Sequence, residues 1–324
     1  MDRREQSYKH KTPNVENLKE RKREEDIAIR KDKREKIISS KRFRLAEGEE
    51  VTEDITIQEV SEVTKQLQKH GPHRKQNLQT LRQAFSQGTL YIDAFFGVEN
   101  ALSCLVGVLT GIDAELQLEA AWCMTNISAG THEHALAIVK SAAPYLVTYL
   151  SSSSPQLQDQ CAWAIGNLAG DSKECQGLLH KQGVVLPLVQ LLQSPSSAVA
   201  HSAAFAVSNM SRDSRDISRE FVRAEALPSL STHLTRTDNR DVLCEVAWAL
   251  TYLSTCEDNA ERLVAGGLLK QIVELLVCLA GNQPHDGQVS IPYLYVQISK
   301  RQLHIVRIQY GVYFLFVMLT SAVA

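Results

Sequence analysis

Aromatic side chains are scarce, at 6% of 324 residues, and tryptophan occurs three times. Net charge is nearly absent as well, at −2 with neutral histidines. The chain as a whole is therefore no polycation made for nucleic acid. None of the seven cysteines stands in a C-x-x-C pair, and no histidine pair lies near them at ligand spacing. That argues against a zinc ribbon or a thioredoxin-type redox motif. Five cysteines sit among apolar helical residues, the pattern of buried, reduced thiols in an intracellular chain. No glycine loop that could cradle phosphate and no nucleophile elbow occurs, so no catalytic activity, metal or cofactor is expected. The first residues are charged where a signal peptide would be apolar, which argues against secretion.

The charge that exists is unevenly placed. Residues 1–46 hold 16 Lys and Arg against 9 Asp and Glu, whereas residues 101–280 hold 11 against 18. A basic head on an acidic body implies self-contact, a charged partner, or both. The acidic body argues against a nucleic-acid groove, so no nucleic acid is expected as a partner. Within residues 16–45 only Leu18, Ile27, Ile37 and Ile38 form an apolar stripe amid dense charge. Such a segment builds no core and reads as a lone charged helix or as a chain that orders on binding. Residues 46–54 are an acidic linker, which closes a first region of about residues 1–50.

From about Ile55 to Ala280 the apolar periodicity is helical, broken near Gly71-Pro72, Gly111, Ser151–Pro155, Ser194–Ser197 and Thr235–Asn239. The scarce aromatics recur inside it. Trp122, Trp163, Phe205 and Trp248 follow one another at steps of 41, 42 and 43 residues, each with a polar residue four positions on: Asn126, Asn167, Asn209 and Tyr252. A period of that size predicts stacked helical repeats of the HEAT or armadillo kind, an all-α superhelical solenoid of four to five repeats. Residues four apart share one helix face. Stacking the repeats should line rings and amides along one groove, a surface suited to an extended peptide. A lone Trp-x-x-x-Asn is more often core; four in register argue otherwise, because a core has no use for a row of amides. Residues 55–97 read as a degenerate first repeat. His132 and His134 flank Glu133 in what reads as an inter-helix turn, with no metal site expected.

Residues 281–324 leave the plan. The apolar run 311–324 carries no charge, yet 14 to 16 such residues span only about 21–24 Å as a helix, short of the roughly 30 Å hydrocarbon layer. A short tail anchor, a helix packed on the end of the array, and a terminus unrelated to the fold all fit, so membrane contact stays open.

The run Leu116-Gln-Leu-Glu-Ala-Ala-Trp122 with Thr125-Asn126-Ile-Ser-Ala-Gly130-Thr131 resembles the second armadillo repeat of the importin-α family. Trp163 with Gly166-Asn167-Leu-Ala-Gly170-Asp171 resembles the third, and Trp248 with Tyr252 matches that family's own variant two repeats on. The arm resembles the importin-β-binding arm in Arg21-Lys22-Arg23, Arg30-Lys31, Lys33-Arg34 and Lys41-Arg42, with Arg44 beyond. Within the wider family, arm and linker look most like its transmembrane and coiled-coil domain-containing members. The resemblance implies an adaptor found in cytoplasm and nucleus. Its groove would bind proteins carrying Lys/Arg-rich nuclear localisation signals, and its arm would recruit an importin-β-type carrier. By position, Trp122, Trp163, Phe205 and Trp248 would flank basic side chains. Asn126, Asn167 and Asn209 would clamp the peptide backbone, Tyr252 would take the amide's place in the last repeat, and Asp171 would pair with a lysine. Gly130 and Gln160 match further groove positions. Phe205 in place of an indole, Ala135 in place of the usual Thr, and the missing later repeats imply a weaker, monopartite preference. The arm has a second possible job, since Lys41–Arg44 could fold back and mimic cargo, although Phe43 interrupts the basic run. The other functional reading is a non-transport armadillo scaffold, with the hydrophobic C-terminus as a candidate membrane tether.

Overall fold

The computed structural model describes residue 44 and residues 55–69, 71–212, 214–235, 239–268, 270–272 and 274–275. The expectations for arm residues Arg21, Lys22, Arg23, Arg30, Lys31, Lys33, Arg34, Lys41 and Arg42, and for the run 281–324, lie outside these residues. Every regular element among the described residues is a helix.

A first pair, α1 (Ile57–Gln68) and α2 (Arg74–Gln87), is followed by α3 (Thr89–Phe96), α4 (Ala101–Leu109) and α5 (Ala114–Ser128). Next come the long α6 (His132–Tyr149) and α7 (Pro155–Asp171), then α8 (Lys173–Lys181), α9 (Val185–Leu191) and α10 (Ser197–Ser211). The array continues with α11 (Arg215–Arg223), α12 (Ala226–Leu234), α13 (Arg240–Leu253) and α14 (Glu257–Ala265). The polar breaks read from sequence are helix starts. Asp113, Thr131, Ser154, Ser172, Ser214 and Asn239 each accept a main-chain N–H of the following turn. Such caps satisfy donors that a helix start leaves open, about 1 kcal/mol each.

Each repeat ends in a long helix, and these helices pack one on the next in the order α2, α5, α7, α10, α13. The shorter helices before them turn on residues in the left-handed region: Asn100 between α3 and α4, Gly183 between α8 and α9, and Glu225 between α11 and α12. In α6 the chain runs straight through that corner. Pro144 therefore sits inside a helix, whereas Pro187 and Pro228 fall in the first turn of α9 and α12, where no N–H is needed.

His132, Glu133 and His134 form the first turn of α6 and not a free inter-helix turn, which corrects the sequence reading. The physical reason is a capping box. Thr131 Oγ1 accepts the N–H of His134, and His134 Nδ1 accepts the N–H of Thr131 at 3.2 Å. The described cysteines are free thiols, with Cys123, Cys161, Cys175 and Cys256 buried. Burial pushes the thiols of Cys123 and Cys161 up, away from thiolate chemistry. Among the described residues no single helix is long and apolar enough to cross a membrane.

Candidate peptide-binding groove

The long helices bring the periodic aromatic and amide positions onto adjacent turns of neighbouring repeats. Asn126, Asn167 and Asn209 are all buried, and each uses its amide nitrogen in the same way. Asn126 Nδ2 donates to the Arg82 carbonyl at 3.1 Å, Asn167 Nδ2 to the Thr125 carbonyl at 3.1 Å, and Asn209 Nδ2 to the Gly166 carbonyl at 2.9 Å. Each of these carbonyls belongs to the preceding long helix and has a second lone pair free for such a bond. The amides thus staple repeat to repeat, a role their spacing alone did not announce.

At Asn126 the other end of the amide is put to use. Its Oδ1 accepts the main-chain N–H of Arg44 at 3.0 Å, while Nδ2 also reaches the Arg44 carbonyl at 3.3 Å. The indole N–H of Trp122 donates to that same carbonyl at 3.0 Å. One amide and one indole therefore hold both main-chain polar groups of a single residue. The Arg44 guanidinium lies over Trp163, with Cζ 4.7 Å from the ring centroid, and Nη1 is 2.8 Å from Asp159 Oδ2. Arg44, read from sequence as part of a carrier-binding arm, is placed in this groove.

The remaining candidate residues divide. Trp163 is buried, with ring contacts to Phe205 at 5.0 Å and to His201 at 5.6 Å. Phe205 is 2% exposed and pressed on Gly166, where an added Cβ would fall 2.4 Å from its Cδ1. Its ring serves the contact between α7 and α10 more than an open surface. Trp248 and Tyr252 stack at 5.9 Å, nearly parallel. Gly130 backs onto His134, whose Nδ1 would lie 2.7 Å from a Cβ, so glycine is required by the capping box of α6. Gln160 is buried, and its main-chain carbonyl accepts from Thr125 Oγ1 at 3.0 Å.

Asp171, expected to pair with a lysine, ends α7 with its Oδ2 2.6 Å from His132 Nδ1. That hydrogen bond raises the His132 pKa above its ordinary 6.5, and the charges of Asp171, Glu174 and Glu133 add to it. The acid that meets a groove cation is Asp159, four residues before Trp163 and hence on the same face one turn away. Nothing in the repeat spacing singles out Asp159, Arg82 or Glu119. Arg82 lies with Cζ 4.3 Å from the Trp122 ring and Nε 3.0 Å from Glu119.

A family profile described as TMCO6 matches residues 60–320. The chain belongs to the TMCO6 family. It is an importin-α-like armadillo protein. Importin subunit alpha-2 of Arabidopsis thaliana is 36% identical over 165 residues, which cover 50% of this chain and 30% of the relative. Importin subunit alpha-2 of Oryza sativa subsp. japonica is 31% identical over 277 residues, covering 78% of this chain and 52% of the relative. The chain thus spans about a third to a half of the curated relatives it matches. An engineered protein superposes with a TM-score of 0.64 at 25% identity, covering 81% of this chain and 96% of its own. A designed armadillo repeat protein solved in complex with peptide (KR)4 superposes at 0.62 with 24% identity, covering 80% and 99%. The fold is an all-α armadillo solenoid, as the repeat period predicts.

Proposed function

We propose that this chain is a nuclear import receptor: its groove binds extended Lys/Arg-rich signals, and its basic N-terminal arm recruits an importin-β-type carrier. The observation that carries the reading is Arg44. A basic residue sits with its main chain on Asn126 and Trp122 and its guanidinium on Trp163 and Asp159. Main-chain bonds of this kind fix direction and register without reading side chains, and the ring and carboxylate supply the preference for a cation. The names of the relatives, importin subunits alpha, point the same way. So does the family's armadillo architecture, since a concave solenoid face is a surface for extended partners.

Arg44 also gives the arm its second job. Held in the groove, Arg44 competes with incoming signals, and a carrier that takes the arm would clear the site. The chain would then act in cytoplasm and nucleus.

Titrating a labelled (KR)4 peptide by fluorescence anisotropy tests the reading. Arg44→Ala should tighten binding by about tenfold by removing the resident competitor, since the cation–π and ion-pair contacts together are worth about 1–2 kcal/mol. Trp163→Ala and Asn126→Ala in that background should abolish binding. Retained binding by both variants would refute a groove at this place. Charge reversal of Arg21, Lys22 and Arg23 in the full chain should end retention of an importin-β carrier in a pull-down.

A further inference from the structure

We infer that the groove position over Trp163 is an arginine pocket, set by Asp159 and Ser202, and that a bound signal is registered by an arginine rather than a lysine there. The inference rests on the peptide-groove reading and adds to it the side chain the pocket selects.

The molecule holds two copies of one arrangement a repeat apart. In the first, the Arg82 guanidinium lies 4.3 Å over Trp122 while its Nε meets Glu119 Oε2 at 3.0 Å, and the other oxygen of Glu119 accepts from Gln79 at 3.1 Å. In the second, the Arg44 guanidinium lies 4.7 Å over Trp163 while Nη1 meets Asp159 Oδ2 at 2.8 Å, and the other oxygen of Asp159 accepts from Ser202 Oγ at 2.5 Å. Each carboxylate thus has one oxygen held by a neutral group from a neighbouring long helix and one left for a guanidinium. Both carboxylates are largely buried, at 12% and 11% side-chain exposure.

This geometry asks for a flat cation. A guanidinium spreads its charge over three nitrogens, so its carbon can lie over an indole while one nitrogen meets a carboxylate at ion-pair distance in the same pose. A lysine ammonium is a compact, strongly hydrated point charge, so over the ring it gives up the carboxylate, and at the carboxylate it gives up the ring. Arg82 is built into α2 and Arg44 arrives from outside the repeats, so the second copy is the one open to exchange. The resident Arg82 also fills the face of Trp122 toward the first repeat, so the arginine at Trp163 is the outermost side chain that this end of the groove accepts.

The test has two arms on the full chain. In the first, octa-arginine and octa-lysine peptides are titrated against the Arg44→Ala chain. Arginine should bind about tenfold tighter, with Asp159→Asn removing most of that ratio and Ser202→Ala part of it. Equal affinities for the two peptides would overturn arginine selection while leaving the groove reading intact. In the second arm, Arg44→Lys is compared with the unmodified chain by solvent exchange of the Trp122 indole N–H, which donates to the residue 44 carbonyl. Exchange about fivefold faster or more supports the pocket, because Arg44 would be held by its guanidinium. Unchanged exchange would overturn it. Should neither peptide bind, the groove reading fails, and this second arm still decides the pocket in cis.

Discussion

The two halves of the candidate groove carry the same sequence pattern and use it differently. In the half built from α5 and α7, Trp122, Asn126 and Trp163 all touch a basic residue from outside the repeats. In the half built from α10 and α13, Phe205 and Asn209 turn their chemistry to the scaffold: the ring packs on Gly166 and the amide holds the Gly166 carbonyl. What separates them is the residue on the preceding helix. A glycine at position 166 leaves a gap that a ring from the next repeat fills, so the aromatic becomes core. Beside Trp122 the preceding helix offers Arg82, which cannot be displaced into a core and keeps one face of the indole electrostatically engaged. One period in the sequence therefore yields two outcomes, decided by the neighbour one repeat earlier.

The sharpest way to break this comparison is Phe205→Ala. It should cost about 3–4 kcal/mol of stability, from lost burial plus a cavity between α7 and α10. Peptide affinity of the protein that remains folded should change little. Thermal unfolding and anisotropy on the same samples check both halves of the statement; a large affinity loss with little change in stability would reverse the assignment. Gly166→Ala comes next. The new Cβ must displace a fully buried ring at 2.4 Å, at a cost of about 1–3 kcal/mol despite the better helix propensity of alanine. Urea unfolding measures it. Asn167→Ala, which removes a buried inter-repeat bond, should cost about 1–2 kcal/mol.

The smallest expected effect concerns His132. Its pKa is raised by the hydrogen bond to Asp171, so the pair contributes stability that is fully present below about pH 6.5. That contribution is lost as pH rises through the higher folded-state value. The melting-temperature difference between the chain and His132→Gln should therefore shrink as pH rises from about 5.5 to about 9. His132 is exposed, at 54%, so the effect is small. A difference that grows with pH would contradict the pairing.

Much of the architecture was legible because repetition multiplies weak signals. A single Trp-x-x-x-Asn says little, whereas four at steps of 41 to 43 fix the repeat, and three of the polar breaks end in the caps Asp113, Ser154 and Asn239. The groove's chemistry was less legible. Asp159 and Glu119 lie four and three residues before their tryptophans, on the same faces, yet neither occupies the spacing that drew attention to the rings. Glu119 and Ser202 fall three residues before an aromatic, where Gln160 and Glu245 are polar too, but Asp159 falls four before its tryptophan and breaks that register. The stapling role of the asparagines was hidden for a different reason. It depends on which carbonyl of the neighbouring helix comes within reach, and that is a property of packing.

The central claim is that Trp122 and Asn126 hold the backbone of a segment whose cation sits on Trp163 and Asp159. The chain contains three tryptophans, so nitrogen-15 NMR resolves three indole N–H groups. The most direct measurement follows the solvent exchange of the Trp122 signal in the chain, in Arg44→Ala, and in Arg44→Ala with added (KR)4 peptide. The account predicts protection, loss of protection, and protection regained. An indole N–H whose exchange is the same in all three samples would contradict it.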